Sequence, residues 1–408
     1  MAHASRIVIV GAGHAGGSAV AFLRQYGWKG RITLVGDEPI LPYQRPPLSK
    51  AWLKGEASAE SLALRPAKFY AENEVDLRLS TTAIAINRAD RTVILAGGEA
   101  LPYDHLILAM GARARSLSIP GANLAGVLEL RSAADADRLK AALRPGRRIA
   151  IIGGGYIGLE AAASARALGA VVTVIERESR LLARVASTSL SGFFDRVHRA
   201  EGVAVKLSAA IVGLESENGH VTAVRLADGS AIACDVALIG IGAIANDSLA
   251  RIAGLECADG IRVDLAALTS DAAIFAIGDC TQRPLYHYGR EHRLESVPNA
   301  LEQARQAAAA LTGRSPPANE VPWFWSDQYD LKLQIAGLAF DTAETVLRGD
   351  PASKSFAIFH LAADGVLRSV EAVNAAAEFM AGRSLIASRK PLSREKLGDV
   401  SVSMKDLV

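Results

Sequence analysis

Short apolar runs separated by glycine turns set the first half of the chain. Arg6–Val10 is apolar after its first residue and reads as a strand. It enters the turn Gly11-Ala-Gly-His-Ala-Gly16, which is followed by a helical stretch, Gly17–Tyr26, and a second apolar strand, Arg31–Val35. The same order returns later: strand Ile149–Ile152, turn Gly153-Gly-Gly-Tyr-Ile-Gly158, helix Leu159–Leu168, strand Val171–Ile175. The leading glycines, Gly11 and Gly153, lie 142 residues apart, a spacing that suits two separate nucleotide-binding units. Further strands are expected at Thr92–Leu95, His105–Leu108, Val221–Leu226 and Val236–Ile239, and an apolar strand over 271–279 that ends in Gly-Asp. A helix follows over about 299–311. Past Pro316-Pro317 the character shifts. Alternating segments at Leu331–Ala336, Ser355–His360 and Leu367–Val373 predict an antiparallel sheet.

The expected fold is α/β: two Rossmann-like dinucleotide-binding domains plus a C-terminal α+β domain with an antiparallel sheet. The first domain is expected to be discontinuous, residues 1–112 and 243–322. The second is inserted as 113–242, and the third is 323–408.

Composition agrees with parallel sheets and tight βα turns. Of 408 residues 36 are glycine, half are hydrophobic, and only 5% are aromatic. The formal net charge of +2 gives no whole-molecule drive toward nucleic acid or an anionic membrane. The longest apolar run, Val236 to Ala245, is ten residues with two glycines, whereas a spanning helix needs about 20. The opening MAHASRIVIVGAG has too short an apolar run for a signal peptide. Three scattered cysteines, Cys234, Cys257 and Cys280, argue against a disulfide framework or a thiolate metal cage. A reduced, cytoplasmic setting is expected. No metal site is proposed; His287 and His292 fall in a polar loop and read as solvated.

Chemistry concentrates in the two glycine turns. In Gly11-x-Gly13-x-x-Gly16 the first glycine permits the turn, the second admits a pyrophosphate to the backbone, and the third lets helix pack on strand. The helix N-terminus supplies the positive end. Asp37, 21 residues past Gly16, is the expected ribose partner, one step late relative to the second turn, because Gly36 stands where Glu176 aligns. In the second turn, Gly153-x-Gly155-x-x-Gly158, the strand ends in Glu176. A carboxylate there favours NAD over NADP by repelling a 2′-phosphate. Arg177 and Arg184 could instead bind a phosphate, and Glu176 could be a solvated strand end. Two such turns point to one tightly held FAD and one exchangeable NADH, ring against ring for hydride transfer. Asp279, in Ile277-Gly-Asp279, is placed to hold a ribityl hydroxyl, or else caps a turn.

The stretches RPPLSK (Arg45–Lys50), YDHLILAMGARAR (Tyr103–Arg115), GGGYIGLE (Gly153–Glu160), IGDC (Ile277–Cys280), ESVPNALEQAR (Glu295–Arg305) and PWFWSDQYD (Pro322–Asp330) resemble the FAD-dependent, NADH-linked ferredoxin reductases of bacterial oxygenase systems. The resemblance covers essentially the whole chain and is greatest to the putidaredoxin-reductase branch, which serves cytochrome P450 systems. Met110 departs from it, replacing a usual threonine.

The resemblance implies FAD contacts at Ala15, Asp37, Lys50, Ala83, Arg131, Asp279 and Val297. Arg131 could equally be a helix-terminal surface charge. Further candidate cofactor-binding residues are Arg45, Tyr156, Ile157, Arg184 and Gly242. Tyr156 would move aside for nicotinamide, or be ordinary helix-cap packing. Lys50 and Glu160 are expected to pair beside the flavin, with Glu160 an electrostatic tuner, unless it is a helix-surface carboxylate. The helix reads Leu-x-Ala-Ala-Ala there, so a charge on its packed side needs a partner. Trp325 is expected near the flavin edge on the route to the iron–sulfur partner; Trp323 is read as core packing.

The expected activity is hydride transfer from NADH to FAD, then single-electron transfer to a [2Fe–2S] ferredoxin that feeds a cytochrome P450. Arg65, Arg305 and Lys405 match basic positions of the docking side, or are generic solvated charge. The alternatives are the reductase of an aromatic-ring dioxygenase system and an NADH-responsive flavoprotein of the apoptosis-inducing-factor type. No Cys-x-x-Cys follows the first unit, and no cysteine lies in the first segment, which disfavours a disulfide relay and an NADH oxidase or peroxidase.

Overall fold

A computed structural model describes residues 5–408; the first four residues of the opening run lie outside the described residues. The chain divides into two compact units. One comprises the chain up to Gln44, Ala59–Arg113 and Ala245–Phe324. The other comprises Arg45–Ser58, Ala114–Ile244 and Trp325–Val408.

The first unit is built on a five-stranded parallel sheet in the order Ile274–Ala276, His105–Leu108, Arg6–Val10, Arg31–Val35, Val75–Arg78. Alternation along Arg6–Val10 sends successive side chains to opposite faces. Ile7 and Ile9 join Ala19, Leu23, Ala304 and Ala307 beneath the helices His14–Gln25 and Val297–Leu311. Val8 and Val10 pack on the other face with Val93, Leu106 and Leu108, where the antiparallel strands Ala83–Asn87, Thr92–Leu95 and Ala100–Pro102 cover the sheet. Both faces are buried, as a parallel sheet requires.

The second unit repeats the plan. Its parallel sheet runs Ala204–Lys206, Val171–Ile175, Arg148–Ile152, Val236–Ile239, Val127–Glu129. The antiparallel strands Ile211–Glu217, His220–Leu226 and Ala231–Ala233 cover one face through Leu214, Val224 and Leu226. The C-terminal part forms a five-stranded sheet in the order Trp323–Gln328, Leu331–Gly337, Leu367–Val373, Ser355–Leu361, Glu344–Asp350. The pairings of the last four strands are antiparallel, as the alternating sequence predicts.

Three expectations about element limits need correction. The cradle helices start at His14 and Tyr156, not Gly17 and Leu159. Gly13 and Gly155 are their extended N-caps, so the third glycine of each motif already lies inside the helix. The strand expected over 271–279 is only Ile274–Ala276. Gly278 takes φ +80°, which turns the chain into the short 3-10 helix Gly278–Cys280 and ends the ladder. The later helix starts at Val297, capped by Ser296, whose hydroxyl accepts from Asn299 N at 3.2 Å. Among the described residues no helix is long and apolar enough to cross a membrane, and no group of His, Cys, Asp and Glu side chains could hold a metal ion.

Candidate functional site

In the first unit, Gly11 adopts φ +114°, and a Cβ there would stand 2.2 Å from Ala109 O. A Cβ on Gly16 would stand 1.9 Å from Gly11 O, so neither position admits a side chain. Gly13 differs. A Cβ there meets nothing within 4 Å, so its bare backbone faces open space at a helix N-terminus. This is the geometry that receives a pyrophosphate. Ala15 is buried in the first helical turn. The side-chain atoms around the turn also leave capacity for a ligand. His14 Nδ1 is buried without a partner, and burial holds the His14 pKa below 6.5 against the pull of Asp279. Gln303 is wholly buried. Its Oε1 accepts from Gly278 N at 2.8 Å, Thr281 Oγ1 at 3.0 Å and Asn299 Nδ2 at 3.2 Å, while its Nε2 is unpartnered. These features fit a bound dinucleotide. Gln303 escaped sequence reasoning; its only signal was its place in the ESVPNALEQAR stretch.

The late position of Asp37 has a steric cause. A Cβ on Gly36 would stand 2.4 Å from the Ala12 Cβ, so the acid moves one residue on, to an exposed position. The second unit makes the opposite choice. The residue aligned with Ala12 is Gly154, which leaves room for Glu176: a Cβ on Gly154 would stand 3.1 Å from Glu176 Oε2. Ala83 opens its strand half-buried, and Asp279 is half-buried in the short helix after Gly278. Val297 is the first residue of its helix, where main-chain N–H groups have no acceptor within the helix.

The second cradle has the same steric logic. Gly153 has φ +110° with Gly240 O 2.4 Å from its would-be Cβ; Gly158 is closed by Gly153 O at 2.3 Å; Gly155 is open. Glu176 Oε2 accepts from Gly154 N at 2.7 Å and Oε1 from Glu178 N at 2.9 Å, which fixes the carboxylate at the mouth of the turn. Tyr156 donates its hydroxyl to Val185 O at 3.2 Å, tying the first helical residue to the loop beyond Glu176. Arg184 brings its guanidinium within 3.3 Å of where a Gly242 Cβ would be, and Ile157 is exposed.

Lys50 and Glu160 meet. Lys50 Nζ lies 2.6 Å from Glu160 Oε2, and Glu160 is 3% exposed, so it is not a helix-surface carboxylate. Two hydroxyls complete its coordination: Ser49 Oγ donates to Oε2 at 2.6 Å and Ser326 Oγ to Oε1 at 2.7 Å. Ser164, one turn on from Glu160, donates to Ser49 O at 2.7 Å and holds the Arg45–Lys50 segment to the helix. Arg45 in turn donates to the carbonyl of Arg131, and Arg131 N donates to Asp135 Oδ2 at 3.1 Å at the start of the helix Ala133–Ala142. Neither Ser49 nor Ser326 is signalled by spacing.

Trp323 and Trp325 are both half-buried. Ser326 faces Glu160, and successive strand residues alternate faces, so Trp325 projects from the opposite side. The basic candidates are unequal. Arg65 is exposed and donates to Leu64 O at 2.8 Å, and Lys405 is exposed. Arg305 is half-buried, bonded to Glu320 and stacked over Phe22 at 5.8 Å. The thiols are poor nucleophiles. Burial pushes Cys280 up to about 12 and Cys234 up to about 11, so both are protonated at neutral pH.

The family described as pyridine nucleotide-disulphide oxidoreductase matches residues 5–304, and the reductase C-terminal family matches residues 323–408. The chain is 49% identical over 403 residues to a probable ferredoxin reductase of Castellaniella defragrans, covering 98% of each. It is 44% identical to rhodocoxin reductase of Rhodococcus erythropolis, covering 98% of this chain and 93% of the relative. The crystal structure of a covalent putidaredoxin reductase–putidaredoxin complex superposes with a TM-score of 0.97 at 40% identity, covering 99% of this chain and 98% of that one. Paired glycine cradles, sheet orders and these matches agree: the chain belongs to the pyridine nucleotide-disulphide oxidoreductase family and is an FAD-dependent oxidoreductase that uses NAD(H).

Proposed function

We propose that the protein is an NADH:ferredoxin reductase that supplies a cytochrome P450 monooxygenase through a [2Fe–2S] ferredoxin. The observation that carries this reading is the pair of cradles with open central glycines, Gly13 and Gly155, the second accompanied by a fixed acid at Glu176. When bound, FAD supplies the conversion between the hydride of NADH and the single electrons an iron–sulfur protein accepts.

The chain's own residues bind and orient. Gly11, Gly13, Ala15 and Gly16 would hold the FAD pyrophosphate and Asp37 its ribose, with Ala83, Asp279 and Val297 as further contacts. Arg45, Lys50 and Arg131 are further candidate FAD-binding residues. Gly153, Gly155, Tyr156, Ile157 and Gly158 hold NADH, with Arg184 and Gly242 at its edge. Glu176 accepts hydrogen bonds from ribose hydroxyls and repels a 2′-phosphate. Glu160, with Lys50 compensating its charge, sets the field at the nicotinamide. The proposed domain division is 1–112 with 243–322, 113–242, and 323–408, although the Arg45–Ser58 segment groups with the second compact unit, and the proposed setting is cytoplasmic. The P450 branch is favoured by the PWFWSDQYD stretch and by the putidaredoxin reductase relatives.

Ferredoxins of this class are acidic, so docking uses local basic residues, Arg65, Arg305 and Lys405, with Trp325 on the route out. The test compares Arg65→Glu and Arg305→Glu on two acceptors. Docking predicts loss of turnover with the ferredoxin and intact reduction of ferricyanide, which needs no docking surface. Equal loss on both acceptors contradicts it.

A further inference from the structure

A buried polar chain leads from Glu160 into the C-terminal sheet, and the function described so far does not use it. Ser326 and Gln328 are two residues apart on the Trp323–Gln328 strand and share a face. Gln328 Nε2 donates to Ser326 Oγ at 3.1 Å. Gln328 Oε1 lies 2.8 Å from His198 Nε2, and His198 Nδ1 lies 3.0 Å from the Tyr329 hydroxyl. Ser326 and His198 are fully buried and Gln328 is 1% exposed.

The chain has a direction. Ser326 has one hydroxyl hydrogen, and it goes to Glu160 Oε1. The Gln328 amide spends a hydrogen on Ser326 and turns its oxygen to His198. An amide oxygen only accepts, so His198 Nε2 carries the proton and Nδ1 accepts from Tyr329. Every link donates toward the carboxylate. At the far end, Tyr329 sits in the turn between two strands at φ +56°, a conformation that bulky residues rarely adopt. A buried chain of this length is unfavourable where its atoms lack partners, and here each side-chain atom linking Glu160 to Tyr329 has one. Glu160 lies on the helix Tyr156–Ala167, one turn past the second cradle.

We propose that Ser326, Gln328 and His198 are positioning residues that hold the Glu160 carboxylate in place for the nicotinamide end of NADH, so that the C-terminal domain takes part in nucleotide binding. This rests on the reading of Glu160 given above. The test is calorimetric binding of NAD+ to the FAD-loaded enzyme, which involves no turnover, in Ser326→Ala, Ser326→Thr, Glu160→Gln and the Ser326→Ala/Glu160→Gln double variant. Ser326→Ala is expected to weaken binding about 5- to 10-fold, the scale of one hydrogen bond to a charged group. Ser326→Thr keeps the hydroxyl and stays within about twofold of wild type. Glu160→Gln weakens binding at least as much, and the double variant is no weaker than Glu160→Gln alone, because the serine acts through the glutamate. In ¹⁵N spectra His198 shows the Nε2–H tautomer.

Normal binding in Ser326→Ala beside weakened binding in Glu160→Gln overturns the positioning role alone. Multiplicative losses in the double variant, or an Nδ1–H tautomer at His198, also overturn it. Normal binding in Glu160→Gln overturns the reading of Glu160 as well.

Discussion

Lys50 Nζ and Glu160 Oε2 lie 2.6 Å apart, though 110 residues separate them in sequence. Lys50 keeps 17% of its side-chain exposure and Glu160 only 4%. This asymmetry makes the two truncations unequal. Losing one partner of a buried pair costs about 3–5 kcal/mol when the other charge is stranded. Lys50→Met strands the deeply buried carboxylate with only its two hydroxyl donors, so a loss of about 3 kcal/mol is expected. Glu160→Gln leaves an ammonium that still donates to Pro46 O at 3.0 Å and reaches water, so about 1–2 kcal/mol is expected. Denaturant unfolding of the FAD-loaded enzyme measures both. Equal losses contradict the geometry.

The cradle glycines separate folding from binding. Gly16→Ala places a Cβ 1.9 Å from Gly11 O and should yield misfolded or insoluble protein. Gly13→Ala meets nothing in the protein, so the chain should fold with normal circular dichroism yet bind little FAD. Gly155→Ala should fold, stay yellow and lose NADH affinity by about tenfold or more. The ratio of flavin to protein absorbance, with NADH titration, reads all three.

Glu176 holds its own turn through Gly154 N and carries the charge that rejects a 2′-phosphate. Glu176→Gln keeps an acceptor for that N–H and removes the charge. The ratio of kcat/KM for NADH to that for NADPH should fall about tenfold or more, mainly because NADPH improves. A ratio unchanged from wild type would show that the carboxylate does not face the ribose.

How far could the sequence be read? The cradles were legible because their constraints are local: a positive φ, a close approach and a helix start lie within six residues. The parallel strands were legible from their apolar runs. Glu160 was legible only in part, as a charge beside three alanines that had to find a partner. Ser49, Ser326, Gln328 and His198 were not legible. They are ordinary residues without motif spacing, brought together by folding from three distant segments. The length of the strand before Asp279 was misread because apolar character continues past Ala276 through Ile277, up to Gly278, whose backbone angle turns the chain away.

The buried His198 should mark the acid limit of stability. Desolvation holds its pKa below the ordinary 6.5, outweighing its bond to Gln328 and the charge of Asp195. The folded state therefore binds fewer protons than the unfolded state in the window below pH 6.5. Its contribution is complete above 6.5 and is lost as pH falls toward the folded value. His198→Gln removes that proton-linked term and should flatten the decline in urea midpoint as pH falls below 6.5, relative to wild type. An identical slope in both proteins would show that His198 is not among the groups that set it.

The central claim, electrons passing from NADH through bound FAD to a [2Fe–2S] ferredoxin, is tested most directly by stopped-flow spectroscopy of the purified enzyme. NADH should bleach the flavin absorbance much faster than NADPH, and the reduced enzyme should then reduce a [2Fe–2S] ferredoxin in single-electron steps. A colourless protein, or a flavin that NADH reduces but that passes no electrons to any of a panel of such ferredoxins, would contradict the account.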